Sequence, residues 1–152
     1  MEELVSGEGG GLPNDLKFYC FYGRCPLLLE VSRGDETRFC WWTKDGNVLD
    51  ARRASAGHFV GNGAPQELWK MASEASCKIP TPFVRIDFLR GGARTVFGEF
   101  TPRTGGFSRF YLDTDRRLGQ CFIEAEARLF RDLVEGKTSF DEFNSVRGMS
   151  EQ

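Results

Sequence analysis

Apolar and aromatic residues concentrate in three short strand-like runs along the first third of the chain: Leu16 to Tyr22, Pro26 to Ser32 and Thr37 to Thr43. Turn chemistry separates them, as Tyr22-Gly23-Arg24-Cys25, Arg33-Gly34-Asp35-Glu36 and Lys44-Asp45-Gly46-Asn47, which predicts an aromatic-rich β-meander. Residues 51–63, including SAGHFVGNG, read as loop. Pro65 is suited to the first position of a helix reaching about Lys78, with Leu68, Met71, Ala72 and Ala75 on one face. Two more β-type runs, VRIDFLR (84–90) and RTVFGEF (94–100), flank Gly91-Gly92. After the loop TPRTGGFSR, a long helix is predicted from about Asp115 to Glu135. Thr114 or Asp113 would cap it, and Leu118, Cys121, Phe122, Ala125, Leu129 and Leu133 would form its apolar stripe. Gly136 would stop it, with Lys137 near the negative end of the dipole. TSFDEF has room for one short turn, and SVRGMSEQ is expected to fray. The class is α+β, an antiparallel β-sheet with flanking helices.

The hairpin of 84–100 carries a carboxylate in each strand, Asp87 and Glu99. Unpaired charge is expensive to bury, so the register matters. A two-residue Gly91-Gly92 turn sends the two carboxylates to opposite faces. A three-residue loop, Gly91-Gly92-Ala93, pairs Arg85 with Glu99 and Asp87 with Phe97. It gathers Arg85, Asp87, Glu99 and Thr101 on one face and leaves Val84, Ile86, Phe88, Val96 and Phe100 on the other. The second register separates polar from apolar residues cleanly and is preferred. Asp87 and Glu99 are then diagonal neighbours, roughly 7 Å apart at the backbone, a spacing that lets both reach one divalent cation. Mg²⁺ takes one or two carboxylates plus phosphate oxygens, and an arginine beside it suits an anion. The same face also accommodates a plain Arg85–Glu99 ion pair, worth under about 1 kcal/mol.

Composition narrows the partners. The 152 residues include 20 basic and 22 acidic ones, a net charge of -2, giving no electrostatic case for nucleic acid. Five cysteines without a C-x-x-C pair, beside the one histidine, His58, argue against structural zinc and for reduced thiols. No apolar run approaches the ~20 residues of a membrane span, and the N-terminus lacks a signal-peptide pattern. A cytoplasmic location follows as the expectation.

The run PFVRIDF…VFGEFTPRTGGFSRF…DRRLG, with LPNDLKFYCFYGRCPLLLEV before it, resembles the C-terminal half of the ATP-grasp superfamily and most closely its TupA-like branch. That branch is associated with teichuronopeptide and polysaccharide biosynthesis. The resemblance implies ATP and Mg²⁺ as cofactors and a carboxylate–amine ligase, in which a substrate carboxylate attacks the γ-phosphate and an amine then attacks the acyl-phosphate. It assigns Asp87 and Glu99 as metal ligands, with Thr101 where many relatives place an asparagine ligand. Arg85 would contact phosphate or the acyl-phosphate, and Lys17 phosphate or substrate. Glu2 and Glu3 stand where the family's hinge strand meets the nucleotide. Arg103, Gly105 and Gly106 lie in the loop facing the acceptor, a carboxylate, an amine, or a glycan or peptide polymer. The resemblance divides the chain into a truncated hinge and Gly-rich connector (1–15), an ATP-grasp-like C-terminal subdomain (16–136) and a partly disordered tail (137–152). It also implies a missing N-terminal nucleotide-gripping half, possible as a separate chain. A non-catalytic binding module of the same ancestry, or one half of a split enzyme, is the alternative.

Other residues offer weaker signals. His58 has no partner motif, and Gly9-Gly10-Gly11 lacks the context of a phosphate loop. Trp41-Trp42 must place one indole on each side of the sheet. Cys20 and Cys25 span a hairpin turn. Arg90, Arg94, Arg103 and Arg109 gather near the second hairpin, either for an anionic substrate or as solvated charges.

Overall fold

A computed structural model describes residues 12–51, 59–92, 94–105, 109–138 and 140. The elements are β1 (Asn14–Phe21), β2 (Arg24–Arg33), β3 (Thr37–Thr43), α1 (Gln66–Ser76), β4 (Val84–Gly91), β5 (Arg94–Thr101) and α2 (Leu112–Val134). The strands form one antiparallel sheet in the order β3-β2-β1-β4-β5, so the α+β expectation holds. Among the described residues, no helix is long and apolar enough to cross a membrane.

Alternation sorts the strands into two faces. On one face Leu16, Phe18, Cys20, Leu28, Val84, Ile86 and Phe88 pack with Leu68, Trp69 and Ala72 of α1. On the other, Tyr19, Phe21, Leu27, Leu29, Val31 and Trp41 pack with Ala125 and Leu129 of α2. The central strands are therefore buried from both sides, which is why their odd and even positions are both largely apolar. Trp41 lies in the α2-side cluster against Phe110, whereas Trp42 points to the α1 side and donates to Glu30 at 3.0 Å. All five cysteines are free thiols.

Several boundaries move from their expected places for identifiable reasons. Phe21 pairs with Arg24, so the first turn is only Tyr22-Gly23, with φ of 35° and 88°, and β2 starts earlier than Pro26. Both central residues of such a turn need positive φ, which costs a tyrosine strain. That strain is offset by Arg128 of α2, which donates to the carbonyls of Tyr22 (3.1 Å) and Phe21 (2.7 Å). Pro65 stands one residue before α1, as its N-cap in extended conformation, rather than inside it. α2 begins at Leu112, not Asp115, and neither Thr114 nor Asp113 caps it. Tyr111 is the N-cap; its backbone N–H bonds to Ala51 O at 3.1 Å, so extended chain persists to that point. Phe122 and Leu133, expected in the buried stripe, are 39% and 47% exposed. Gly136 (φ 93°) does end the helix: its N–H bonds to Leu133 O and the Lys137 N–H to Asp132 O, a Schellman closure.

Two polar clusters tie the layers. Glu30, completely buried, accepts from Asn14 Nδ2 (3.3 Å), Trp42 Nε1 (3.0 Å), Arg90 Nη1 (3.4 Å) and the backbone N–H groups of Asn62 (3.3 Å) and Gly63 (2.9 Å). A Cβ on Gly61 would run into its carboxylate, so glycine there lets the loop backbone close over it. At the other end, Tyr22 donates to Asp132 Oδ2 (2.6 Å), and Lys137 Nζ donates to the Tyr22 hydroxyl and to Cys77 O (2.9 Å each).

Removing the Glu30 carboxylate takes the acceptor from a half-buried arginine and from several other donors. Glu30→Ala is therefore expected to cost about 3–5 kcal/mol in chemical denaturation, with Glu30→Gln costing less. The Tyr22 cluster predicts a pH effect. The hydrogen bond from Tyr22 depresses the Asp132 pKa, so this stabilisation exists above the unfolded value and is lost as pH falls through the folded one. Burial raises the Tyr22 pKa. For Lys137 burial alone would lower the pKa, but its bonds to Tyr22 and Asp132 raise it on balance, so both contributions are lost as pH rises past about 10. Melting curves of wild type and Asp132→Asn should differ at neutral pH, begin to converge at about pH 4 and meet only below the depressed folded value. A gap unchanged in acid would contradict the pairing.

Candidate functional site

The α2-side face of the sheet is only half covered by the helix. On the remainder, β1 contributes Asp15 and Lys17, β2 Arg33, β4 Arg85 and Asp87, and β5 Glu99 and Thr101. The register explains the grouping: Lys17 pairs with Asp87, and Asp87 pairs with Glu99, and directly opposed residues share a face.

That second pairing corrects the sequence expectation of a three-residue loop with Asp87 opposite Phe97. Gly91 pairs with Arg94 and Phe88 with Phe97; a β-bulge then inserts Gly98, so that Asp87 meets Glu99 and Arg85 meets Thr101. The carboxylates are direct cross-strand neighbours, not diagonal ones. Val96 accordingly pairs with Leu89, and Phe97 takes the place expected for Val96, stacking with Phe88 and Phe100. A Cβ at Gly98 would stand 3.1 Å from the Asp87 carbonyl oxygen, which accounts for glycine at the bulge.

The side chains form one line of alternating charge. Arg33 holds Asp15 Oδ2 from Nε (2.9 Å) and Nη2 (2.5 Å). Lys17 Nζ lies 3.6 Å from Asp15 Oδ2 and donates to Asp87 Oδ2 at 2.7 Å. Arg85 takes Asp87 in a two-pronged contact, Nε to Oδ1 and Nη2 to Oδ2, both 2.7 Å. Its Nη2 also donates to Thr101 Oγ1 (3.1 Å) and lies 3.8 Å from Glu99 Oε1, to which Thr101 donates at 3.2 Å. The middle of the line is shielded and its end is open, with side-chain exposures of 7% for Asp87, 14% for Arg85 and 65% for Glu99. Burial alone would lower the pKa of Arg85, but the hydrogen bond and charge of Asp87 outweigh it and raise the pKa on balance.

Lys17, Arg85, Asp87, Glu99 and Thr101, singled out from the sequence, are thus brought together. Asp15 and Arg33 were missed; their strand alternation with Lys17, Asp15 two residues before it, was the available signal. Arg103 is exposed and Gly105 lies beyond buried Thr104 in the loop that follows β5. Glu2, Glu3, Gly106 and His58 fall outside the described residues.

No group of three or more His, Cys, Asp or Glu side chains suited to a metal occurs among the described residues. The donor set still fits Mg²⁺, which needs only one or two carboxylates when phosphate oxygens and waters complete its shell. Asp87 and Glu99 are the two that qualify. Residues 6–123 match the family model described as TupA-like ATPgrasp. The chain belongs to the TupA-like ATP-grasp family. Neither the curated proteins nor the solved structures provide a match to it. The matched span contains every residue of the charged line, and all five strands.

The two carboxylates should separate cleanly in stability measurements. Asp87→Ala leaves Lys17 and Arg85 without their shielded anion and is expected to cost about 3–5 kcal/mol in chemical denaturation. Glu99→Gln, on an open side chain, should stay within about 0.5 kcal/mol of wild type. Equal losses would contradict the burial gradient.

Proposed function

We propose that the chain carries the phosphate- and metal-binding edge of an ATP-dependent carboxylate–amine ligase of cell-surface polysaccharide synthesis. The observation that carries this reading is the convergence of Lys17 and Arg85 on Asp87, with Thr101 and the solvent-exposed Glu99 beside them. In the proposed reaction an oxygen of the substrate carboxylate bonds to the γ-phosphorus and ADP leaves; an amine then displaces phosphate from the acyl-phosphate to form an amide. Little of that chemistry needs a covalent group from the protein, so positioning and charge supply most of the rate. Mg²⁺, when bound at Asp87 and Glu99, would neutralise phosphate charge.

The chain's own residues have defined tasks in this reading. Lys17 offers a mobile three-donor ammonium, which suits an oxygen that shifts position during transfer. Arg85 offers a planar fork, which suits two oxygens of one phosphate or acyl-phosphate. Asp15, itself held by Arg33, steers Lys17 toward the centre of the sheet. Arg103 and the glycines after β5 would meet the acceptor. Adenine and ribose would be gripped elsewhere, by a nucleotide-binding half in the same or another chain.

A second reading, a binding module that holds an anion without turning it over, is favoured by the complete neutralisation of Asp87 by two cations. Both readings are separable by titration calorimetry and ADP release. The ligase reading predicts that Mg-ATP binds wild type and that Glu99→Gln weakens binding at least tenfold without lowering the melting temperature. It further predicts ADP release on adding an acidic glycan or polyglutamate with an amine donor. Binding that is indifferent to Mg²⁺ and to Glu99→Gln, with no ADP release, would favour the module and sink the ligase assignment.

A further inference from the structure

The side of α2 that faces away from the sheet carries large apolar residues at intervals from its first turn to its last. Leu112, Ile123, Phe130 and Val134 are 62%, 61%, 70% and 71% exposed. Water-facing positions of a surface helix are ordinarily polar. At 100° per residue these four lie within about 40° of one direction, opposite buried Thr114 and Ala125. Between them the same line contains Gly119, Ala127 and Arg116.

The spacing of this line is palindromic. Counted from Ile123, its members fall at minus 11, 7 and 4 and at plus 4, 7 and 11. We propose that α2 is a self-association surface, on which a second copy of this chain packs its own α2 antiparallel about a two-fold axis at Ile123. That axis sets Ile123 on its counterpart and Leu112 on Val134 of the other copy. Gly119 meets Ala127, two small residues that let the helices approach closely. Arg116 comes over the ring of Phe130, a cation–π pairing. An isologous contact requires a surface complementary to itself, and each position in this line has a fitting partner at its mirror position.

One flank is complementary in charge, while the other carries Asp115 and Glu126 without a basic residue. A two-fold antiparallel pair brings each flank against the same flank of the other helix. Asp113 and Arg131 lie on one flank, about 80° from the centre of the line, at nearly mirror positions, so each aspartate meets the other copy's arginine. Both are exposed, and the Asp113 side chain is 94% accessible. One helix packed on another belongs to the small class of interfaces, below about 1,200 Å² in total, so the dimer should be in equilibrium with monomer. The charged line is untouched by this packing, since Lys17, Asp87 and Glu99 lie on the sheet and the proposed contact uses the side of α2 turned away from it.

Sedimentation equilibrium over a wide protein concentration range tests the proposal. Wild type should pass from monomer to dimer, and Ile123→Glu should weaken the dimer at least tenfold with unchanged circular dichroism. Asp113→Arg and Arg131→Asp should each weaken it and together restore it, which non-specific stickiness would not do. Ile123→Cys should oxidise to a covalent dimer beyond the background of the parent protein, whereas Lys70→Cys on exposed α1 should not. A monomer at every concentration would overturn the inference and leave the face to a different protein. A dimer indifferent to Ile123→Glu would overturn it equally.

Discussion

A carboxylate that is 95% removed from water needs close hydrogen-bonding or charged partners, and at Asp87 those partners are two cations. Two unit charges at contact in a partly buried setting interact by several kcal/mol, enough to repay desolvation only if the geometry is good. Lys17 and Arg85 both reach it at 2.7 Å. Those contacts exist because β1 and β4, far apart in sequence, lie side by side with Lys17 opposite Asp87. The crossover through α1 that allows this also provides the apolar cover for the opposite face. The charge contacts and the apolar core are consistent with the same register of the central strands.

The sheet manages its second buried carboxylate differently. Glu30 is enclosed by an indole, an arginine and backbone N–H groups of the 61–63 loop, so it serves as an internal post around which that loop closes. Asp87, by contrast, is flanked by groups that lead outward to Glu99, where the line of charge meets solvent. One site is sealed and the other is graded from buried to open. That gradient is what makes the Asp87–Glu99 face a candidate for exchanging its cations with a ligand.

Much of the architecture was legible from alternation and turn chemistry: five strands, two helices, and the grouping of Arg85, Asp87, Glu99 and Thr101 on one face. The details that escaped have local physical causes. The hairpin register was misread because a single glycine in a strand, Gly98, was counted as an ordinary strand residue rather than as a bulge. Two one-residue shifts, in the turn and at the bulge, happen to restore the same face. The start of α2 was missed because its N-cap, Tyr111, makes no side-chain cap bond and is fixed by a long-range bond to Ala51, which no local pattern encodes. Asp15 and Arg33 join the site only through pairing between strands, where Asp15 pairs with Val31 and Arg33 reaches back from the strand end. The family motifs picked out Lys17, Arg85, Asp87 and Glu99 but not their neighbours Asp15 and Arg33.

In the proposed function Asp87 and Glu99 would together hold one divalent cation once a phosphate engages Lys17 and Arg85. Paramagnetic broadening by Mn²⁺ in an amide ¹H–¹⁵N spectrum, recorded with and without ATP, tests it most directly. With ATP present, broadening should centre on the amides of Asp87, Glu99 and Thr101, and Mn²⁺ alone should produce little of it. Broadening centred elsewhere, or equally strong at these amides without ATP, would contradict the claim.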